Sequence, residues 1–285
     1  MSKLRDYIEV FKYRQTLMAL TVGALSYLGA LKTYDLPFDV TTFLKTLAAI
    51  LLITSGATGV NMVWDADIDA LMPRTASRPI PAGRLSKNEV LRVSLVLLTV
   101  GMLISFLINI YVVISGLLGV FFFDIAYTFL LKRRTPWSVV LCSFGGGMPA
   151  LGGWSAATGS YDLYSMMLML LVSVWSLLHI WTAATYYLND YRAANVPMLP
   201  AVYGERRGIQ ASLVASLVVL VTAYTTYTLG IISLWAFLVS LLPLLIAQML
   251  LASSLVKGDY REKSFKAWKI ASIFLALYFL FMVLS

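Results

Sequence analysis

The feature that most constrains the fold is a series of apolar runs, each about twenty residues long, separated by short polar stretches. About twenty apolar residues are what an α-helix needs to cross the hydrocarbon core of a bilayer. Because every backbone polar group in hydrocarbon must be satisfied internally, such runs form helices. The predicted spans are residues 15–32, 43–64, 90–109, 111–131, 138–158, 163–189, 209–229, 231–256 and 266–284. The sequence therefore predicts an all-α fold, a polytopic membrane bundle of nine transmembrane helices.

Composition excludes a soluble globular protein. Of the 285 residues, 60% are hydrophobic and only 13% are charged, whereas soluble domains carry about 25% charged residues. The net charge of +8 would fit a nucleic-acid partner only if the basic residues shared one surface. They lie instead in the loops between the apolar runs, so no nucleic-acid partner is expected.

The distribution of basic residues predicts the orientation of the chain. With the ends of spans assigned to the nearer loop, all but two of the 22 Lys and Arg residues belong to the N-terminus or to the loops 65–89, 132–137, 190–208 and 257–265, which share one side of the membrane. The exceptions are Lys32 and Lys45. Since basic loops remain in the cytoplasm, we expect a cytoplasmic N-terminus and a C-terminus outside.

Three polar residues at the end of the second span form a candidate metal site. Asn61, Asp65 and Asp69 are spaced i, i+4, i+8 in NMVWDADID (61–69), so they share one face if the helix continues to Asp69. Carboxylate and amide oxygens are the hard ligands that Mg²⁺ prefers, usually together with a substrate phosphate. The alternative is a solvated acidic helix end, which the helix dipole disfavours.

Basic residues follow this acidic segment in the same loop. Arg74 and Arg78 offer planar donor groups close to the aspartates, as recognition of a diphosphate requires. They could instead neutralise the aspartates or anchor the loop to lipid headgroups.

A second acidic position ends the sixth span. Asp190 lies four spans after Asp65, on the same predicted side, which indicates one domain, 1–285, with two halves of roughly 1–137 and 138–285. His179 and Tyr186 precede Asp190 by eleven and four residues, so all three are predicted to share a helix face. A histidine within a span is a functional candidate, although it could simply hydrogen-bond a neighbouring helix.

The fourth span carries the remaining candidates. Tyr127, Lys132 and Arg133 lie where this span reaches the cytoplasm, within reach of a diphosphate, although ordinary topology signals would look the same. Asp124 lies inside the span, where a carboxylate facing lipid is costly. It must therefore face the bundle interior, a polar cavity or a cationic partner.

Four blocks of sequence resemble the UbiA superfamily of intramembrane prenyltransferases, and within it the haem O synthases. Asn61, Asp65 and Asp69 match the superfamily pattern NxxxDxxxD. The blocks are DADIDALMPRTASRPIPAGRLS (65–86), YTFLLKRRTP (127–136), GWSAATG (153–159) and DYRAANVPMLPAVYG (190–204). One departure from the superfamily is Ala194 in place of the second aspartate of its DxxxD motif, a form that haem O synthases share.

The resemblance implies a nine-helix bundle around a central cavity in a prokaryotic plasma membrane. It implies Mg²⁺-dependent transfer of a farnesyl group from farnesyl diphosphate to a vinyl group of haem B, a substrate rather than a prosthetic group. The implied roles are Mg²⁺ binding for Asn61, Asp65, Asp69 and Asp190, diphosphate binding for Asn61, Arg74, Arg78, Tyr127, Lys132 and Arg133, and catalysis for Asp65, Asp69, Asp190, His179 and Tyr186. His179 or Tyr186 would orient the porphyrin or handle a proton.

Alternatives remain at this point. The acceptor could be an aromatic quinone precursor or a lipid, and a secondary transporter is a remote reading, since transporters usually bind their substrates near the midplane on broken helices. Membrane lipid is an expected partner. An association with haem A synthase or a terminal oxidase assembly would suit the resemblance, but the sequence does not show it.

Overall fold

The computed structural model describes residues 3–285, and all of the regular structure in that range is helical. The helices are α1 Lys3–Val10, α2 Tyr13–Tyr34, α3 Val40–Trp64, α4 Ala66–Leu71, α5 Lys87–Phe106, α6 Ile110–Val120, a π-helical segment Phe121–Leu131, α7 Ser138–Thr158, α8 Leu163–Tyr186, α9 Leu188–Ala193, α10 Leu199–Tyr203, α11 Glu205–Thr228, α12 Leu234–Lys257 and α13 Tyr260–Leu284. The predicted all-α class is confirmed.

Eight of the described helices are long and apolar enough to cross a bilayer, with α6 and the π-helical segment counted as one span, Ile110–Leu131. The ninth predicted span, 138–158, coincides with α7, which has 21 residues but is not among those eight. Glycine and serine lower its apolar character. Most of its residues are buried by neighbouring helices, so α7 does not depend on contact with lipid.

Small residues allow α7 to approach its neighbours closely. A methyl group added at Gly153 would overlap the backbone carbonyl of Gly23 in α2, and one added at Gly147 would overlap the backbone of Met169 in α8. Helices in a membrane associate through close packing of this kind, because apolar side chains gain little by exchanging contact with lipid for contact with another helix.

The fourth span changes its hydrogen-bond pattern halfway. Phe121–Leu131 is π-helical, and the Lys132 amide donates to the carbonyl of Tyr127, five residues earlier, at 2.8 Å. Such i→i+5 segments are rare and frequently occur at functional sites. This segment forms one wall of the cavity described next.

Short elements close the bundle on the predicted cytoplasmic side. Helix α1 is tied to the α4–α5 loop by Arg84, whose Nε donates to Asp6 Oδ1 at 2.8 Å. The Tyr7 hydroxyl also donates to Glu89 at 3.0 Å. These contacts fix the chain where it turns from α1 into α2.

Candidate active site

A cavity of about 760 Å³ lies inside the bundle. Apolar side chains such as Met18, Val22, Ile50 and Val172 line much of it. One end, on the predicted cytoplasmic side, is lined by charged and polar side chains that include Lys12, Asn61, Asp65, Asp69, Arg74, Arg78, Tyr127 and Lys132. The cavity thus combines a charged end with an apolar interior, as a ligand with a charged head and a hydrocarbon tail requires.

Asn61, Asp65 and Asp69 all line the cavity, although the helix is not continuous through them. Helix α3 ends at Trp64 and α4 begins at Ala66. The Asp65 amide still donates to Asn61 O at 2.9 Å, and the Asp69 amide to Asp65 O at 2.8 Å. Because this i, i+4 pattern persists across the break, the three side chains keep the common face that their spacing predicts.

Each of the three predicted acidic residues is paired with a predicted basic one. Lys132 forms an ion pair with Asp65, and Arg78 Nη1 lies 2.6 Å from Asp69 Oδ2. Arg74 Nε lies 3.6 Å from Asp190 Oδ2. In this structure the basic residues therefore neutralise the aspartates, one of the three roles left open for Arg74 and Arg78.

Arg74 connects the two acidic segments of the sequence. It belongs to the α4–α5 loop and lines the cavity, yet it pairs with Asp190 in α9. Its guanidinium carbon also lies 4.5 Å from the centroid of the Tyr187 ring. Asp190 itself is not among the described residues that line the cavity, so it reaches the site through Arg74.

His179 lines the cavity between two tryptophans. Trp268 Nε1 donates to His179 Nε2 at 2.8 Å, and Ser272 Oγ lies 3.3 Å from His179 Nδ1. The His179 ring centroid is 4.7 Å from that of Trp175. Since Nε2 accepts the indole hydrogen, the imidazole is the Nδ1–H tautomer, and both ring nitrogens are already engaged. This arrangement suits a fixed wall better than a proton carrier.

Besides Asp190, two further predicted site residues lie away from the cavity lining. Tyr186 packs against Phe265 of α13 with ring centroids 4.5 Å apart and is not among the described residues that line the cavity. His179 and Tyr186 both contact α13 from the unbroken helix α8. Because α8 ends at Tyr186 and a new helix begins at Leu188, the predicted common face is interrupted before Asp190.

Arg133 is the second displaced residue. Its guanidinium donates twice to the Asp67 carboxylate, at 2.7 Å each, and once to Trp64 O at 2.9 Å. These hydrogen bonds lower the pKa of Asp67 to about 2. Arg133 thus holds the α3–α4 junction from outside, and a role in binding diphosphate remains only a prediction.

Lys12 is a site residue that the sequence reading missed, because it was counted only as part of the charge asymmetry. Its Nζ donates to Asn61 Oδ1 at 2.6 Å and lies 5.9 Å from the Phe123 ring centroid. Burial and the nearby Arg78 guanidinium lower the pKa of Lys12 to about 8. The only signal in the sequence was its position immediately before the first span.

Asp124 faces the bundle interior, one of the three environments expected for it. It is 2% exposed, and neither carboxylate oxygen has a hydrogen-bond partner among the described residues. Thr128, on the same π-helical segment, accepts a hydrogen bond from Asn61 Nδ2 at 3.0 Å. The segment therefore contacts the metal-site candidate directly.

The carboxylates at the charged end fit a divalent cation only in part. Asp65 Oδ1 and Asp190 Oδ2 are buried without hydrogen-bond partners in the described part of the chain, and carboxylate oxygens are the hard ligands that Mg²⁺ takes. Within residues 3–285, however, no three acidic, histidine or cysteine side chains form a group that could hold a metal by themselves. A metal here would need further oxygens, which a diphosphate supplies.

Comparison with protein families agrees with this architecture. Residues 22–278 match the model of the UbiA prenyltransferase family. A protein from Thermofilum pendens named protoheme IX farnesyltransferase is 50% identical, with the match covering 99% of this chain and 98% of that protein. A protein of the same name from Archaeoglobus fulgidus is 35% identical over 100% of this chain and 99% of that protein.

Solved structures share the fold at lower sequence identity. A digeranylgeranylglyceryl phosphate synthase superposes with a TM-score of 0.76 and 21% identity, covering 100% of this chain and 98% of that one. A UbiA homolog from Archaeoglobus fulgidus bound to GPP and Mg²⁺ gives a TM-score of 0.68 and 14% identity, covering 97% and 99% of the two chains.

Proposed function

Because this chain belongs to the UbiA prenyltransferase family, we propose that it transfers the farnesyl group of farnesyl diphosphate to a vinyl group of protohaem IX, giving haem O. The observation that carries this proposal is the 50% identity, over nearly the whole of both chains, to a relative named protoheme IX farnesyltransferase. A new bond joins the farnesyl C1 to the terminal vinyl carbon as the C1–O bond breaks. Water adds its oxygen to the other vinyl carbon and loses a proton, and diphosphate leaves.

The charged end of the cavity would bind the diphosphate. Asp65 and Asp69, with Asn61, would hold Mg²⁺ together with diphosphate oxygens, and Asp190 would contribute from the opposite side. When bound, Mg²⁺ would neutralise negative charge that accumulates on the leaving group. Support comes from Asp65 Oδ1, which is buried without a hydrogen-bond partner among the described residues, and from the Archaeoglobus structure described with GPP and Mg²⁺.

The ion pairs at the charged end of the cavity suggest how the side chains would change partners during the reaction. Lys132, Arg78 and Arg74 each occupy a carboxylate that the metal would need. On binding of the metal and donor, these cations would move from the carboxylates to the diphosphate oxygens. Charge-assisted hydrogen bonds to phosphate are among the stronger ones in proteins, so both the carboxylates and the cations remain satisfied.

The interior of the cavity would hold the farnesyl chain and the acceptor. Met18, Ile50 and Val172 provide apolar walls that exclude water. Trp175, His179 and Trp268 form an aromatic wall against which a flat macrocycle can stack. This wall supports a porphyrin acceptor over a glycerol lipid, while an aromatic quinone precursor remains the second candidate acceptor.

The chain is a prenyltransferase, and transport lacks support since the acidic groups lie at helix ends rather than on broken helices near the midplane. We also propose that the charged end faces the cytoplasm of a prokaryotic cell, with the N-terminus inside and the C-terminus outside. The charge asymmetry of the loops supports this orientation.

Mass spectrometry of the haem extracted after incubation tests the function. Purified protein is incubated with haem B, farnesyl diphosphate and Mg²⁺, and we expect a haem whose mass has increased by one farnesyl group plus one hydroxyl. An Asp65→Ala variant is the matched control. Unmodified haem, together with prenylation of an added quinone precursor or glycerol phosphate lipid, would contradict the proposed acceptor.

A further inference from the structure

Lys12 lies at a turn where lysine is an unfavourable choice of residue. Its backbone has φ 46° and ψ 58°, the left-handed region, between the end of α1 and the start of α2. A non-glycine residue in this region is strained, and such residues persist where the surroundings fix them, often at functional sites. Glycine would fit this backbone without cost, so the side chain of Lys12 needs a separate explanation.

The side chain of Lys12 enters the charged end of the cavity. Its ammonium differs from the cationic groups of Lys132, Arg78 and Arg74 because its partner is a neutral amide, the Asn61 side chain, at 2.6 Å. Lys132, Arg78 and Arg74 are each paired with a carboxylate. A partly buried ammonium whose hydrogen-bond partner is a neutral oxygen has further N–H groups to offer to an anionic ligand.

Asn61 connects Lys12 to the predicted metal ligand Asp65. Asn61 Oδ1 accepts from Lys12, while its Nδ2 donates to Asp65 Oδ2 at 2.8 Å and to Thr128 Oγ1 at 3.0 Å. All polar atoms of the amide are therefore used. A Mg²⁺ ion at Asn61 Oδ1 would repel the Lys12 ammonium, which would then gain by moving to an anionic oxygen.

We propose that Lys12 is a further diphosphate-binding residue, whose ammonium moves from the Asn61 amide oxygen to an oxygen of the prenyl diphosphate when the metal and donor bind. The tie between Arg84 and Asp6 fixes α1, and with it the turn that aims Lys12 at this position. The assignment rests on the proposed donor and does not depend on the acceptor.

Two variants separate the effect of the ammonium group from the effect of the left-handed backbone. Lys12→Gly removes the ammonium and relieves the left-handed backbone, whereas Lys12→Met removes the charge but keeps an unbranched side chain. Lys12→Arg restores a cation. Lys87→Met, at an exposed lysine that starts α5, is the matched control.

The measurement is binding of farnesyl thiodiphosphate, a non-reactive donor analogue, to the purified protein with Mg²⁺ present. We expect the Kd to rise about tenfold or more in Lys12→Gly and Lys12→Met, to recover in part in Lys12→Arg, and to stay unchanged in Lys87→Met. The Tm of Lys12→Gly should equal or exceed that of the unchanged protein. Mg²⁺ affinity without the analogue should not fall.

Three results would overturn the assignment. One is an unchanged Kd for the analogue in Lys12→Gly or Lys12→Met. Another is a rise in KM for haem alone, which would assign Lys12 to a haem carboxylate instead. The third is a loss of Tm that parallels the loss of affinity in both variants, which would indicate a structural role. If the unchanged protein itself binds no prenyl diphosphate, the proposed function fails. If the unchanged protein binds the analogue and the Lys12 variants bind it equally well, only the assignment of Lys12 fails.

Discussion

At the scale of single residues, three neighbouring aspartates have different surroundings. Asp65 and Asp69 are buried at the cavity, at 2% and 3% exposure, whereas Asp67 is exposed and bonded to Arg133. Only the first two can meet a ligand inside the bundle, although all three lie within five residues of sequence.

This difference gives a prediction with an internal control. Asp65→Ala and Asp69→Ala should each lower kcat/KM for prenyl transfer by at least about 10²-fold, the usual scale for losing a group that stabilises transition-state charge. Asp67→Ala should retain activity, because its carboxylate lies outside the cavity. Steady-state rates with farnesyl diphosphate and Mg²⁺ check this. Equal losses in all three variants would refute the assignment of the metal site.

The hydrogen bond between Trp268 and His179 yields a second prediction at this scale. Trp268→Phe keeps an aromatic ring but removes the indole N–H, which frees His179 Nε2 and loosens the aromatic wall. Loss of one such bond costs about 1–3 kcal/mol, so the KM for the acceptor should rise by about fivefold or more. The KM for farnesyl diphosphate should not change, since its charged group binds elsewhere. A rise confined to the donor KM would contradict this role for the wall.

At the scale of elements, α7 shows how a helix can be central without being strongly apolar. Its glycines bring its backbone against α2 and α8, and these three helices all contribute residues to the cavity. The packing of α7 therefore determines the distance between the cavity walls.

Gly153→Ala should destabilise the protein by about 1–3 kcal/mol, the range for overpacking a tight contact, because the added methyl group overlaps the Gly23 carbonyl. Gly119→Ala is the matched control, since a methyl group there would lie 3.5 Å from its nearest neighbour, Met148 Cβ. Thermal unfolding in detergent, followed by tryptophan fluorescence, measures both. Similar Tm values for the two variants would show that the α2–α7 contact is not tight.

Sequence periodicity could predict the spans and the common face of Asn61, Asp65 and Asp69, because both depend on local spacing. It could not predict that α8 breaks after Tyr186, which interrupts the helix before Asp190, or that the fourth span becomes π-helical. Both depend on the packing of distant helices. The partners of Arg133 and Lys12 were equally hidden, since Asp67 and Asn61 lie 66 and 49 residues away from them.

At the scale of the whole molecule, the single cysteine makes the orientation measurable. Cys142 is buried, so a cysteine introduced at an exposed position becomes the one accessible thiol. We expect a membrane-impermeant maleimide to label Thr41→Cys in intact cells and to label Lys87→Cys only after the cells are opened, because these residues lie on opposite predicted sides. Labelling of Lys87→Cys in intact cells would reverse the topology.

The three ion pairs at the charged end of the cavity also bear on the last step of the proposed reaction. In that proposal, Lys132, Arg78 and Arg74 would each return, when inorganic diphosphate departs, to the carboxylate that they occupy in this structure. Side chains of the protein itself would then compensate for the loss of a highly charged product. The same site could therefore bind the prenyl diphosphate tightly and still release the inorganic diphosphate quickly.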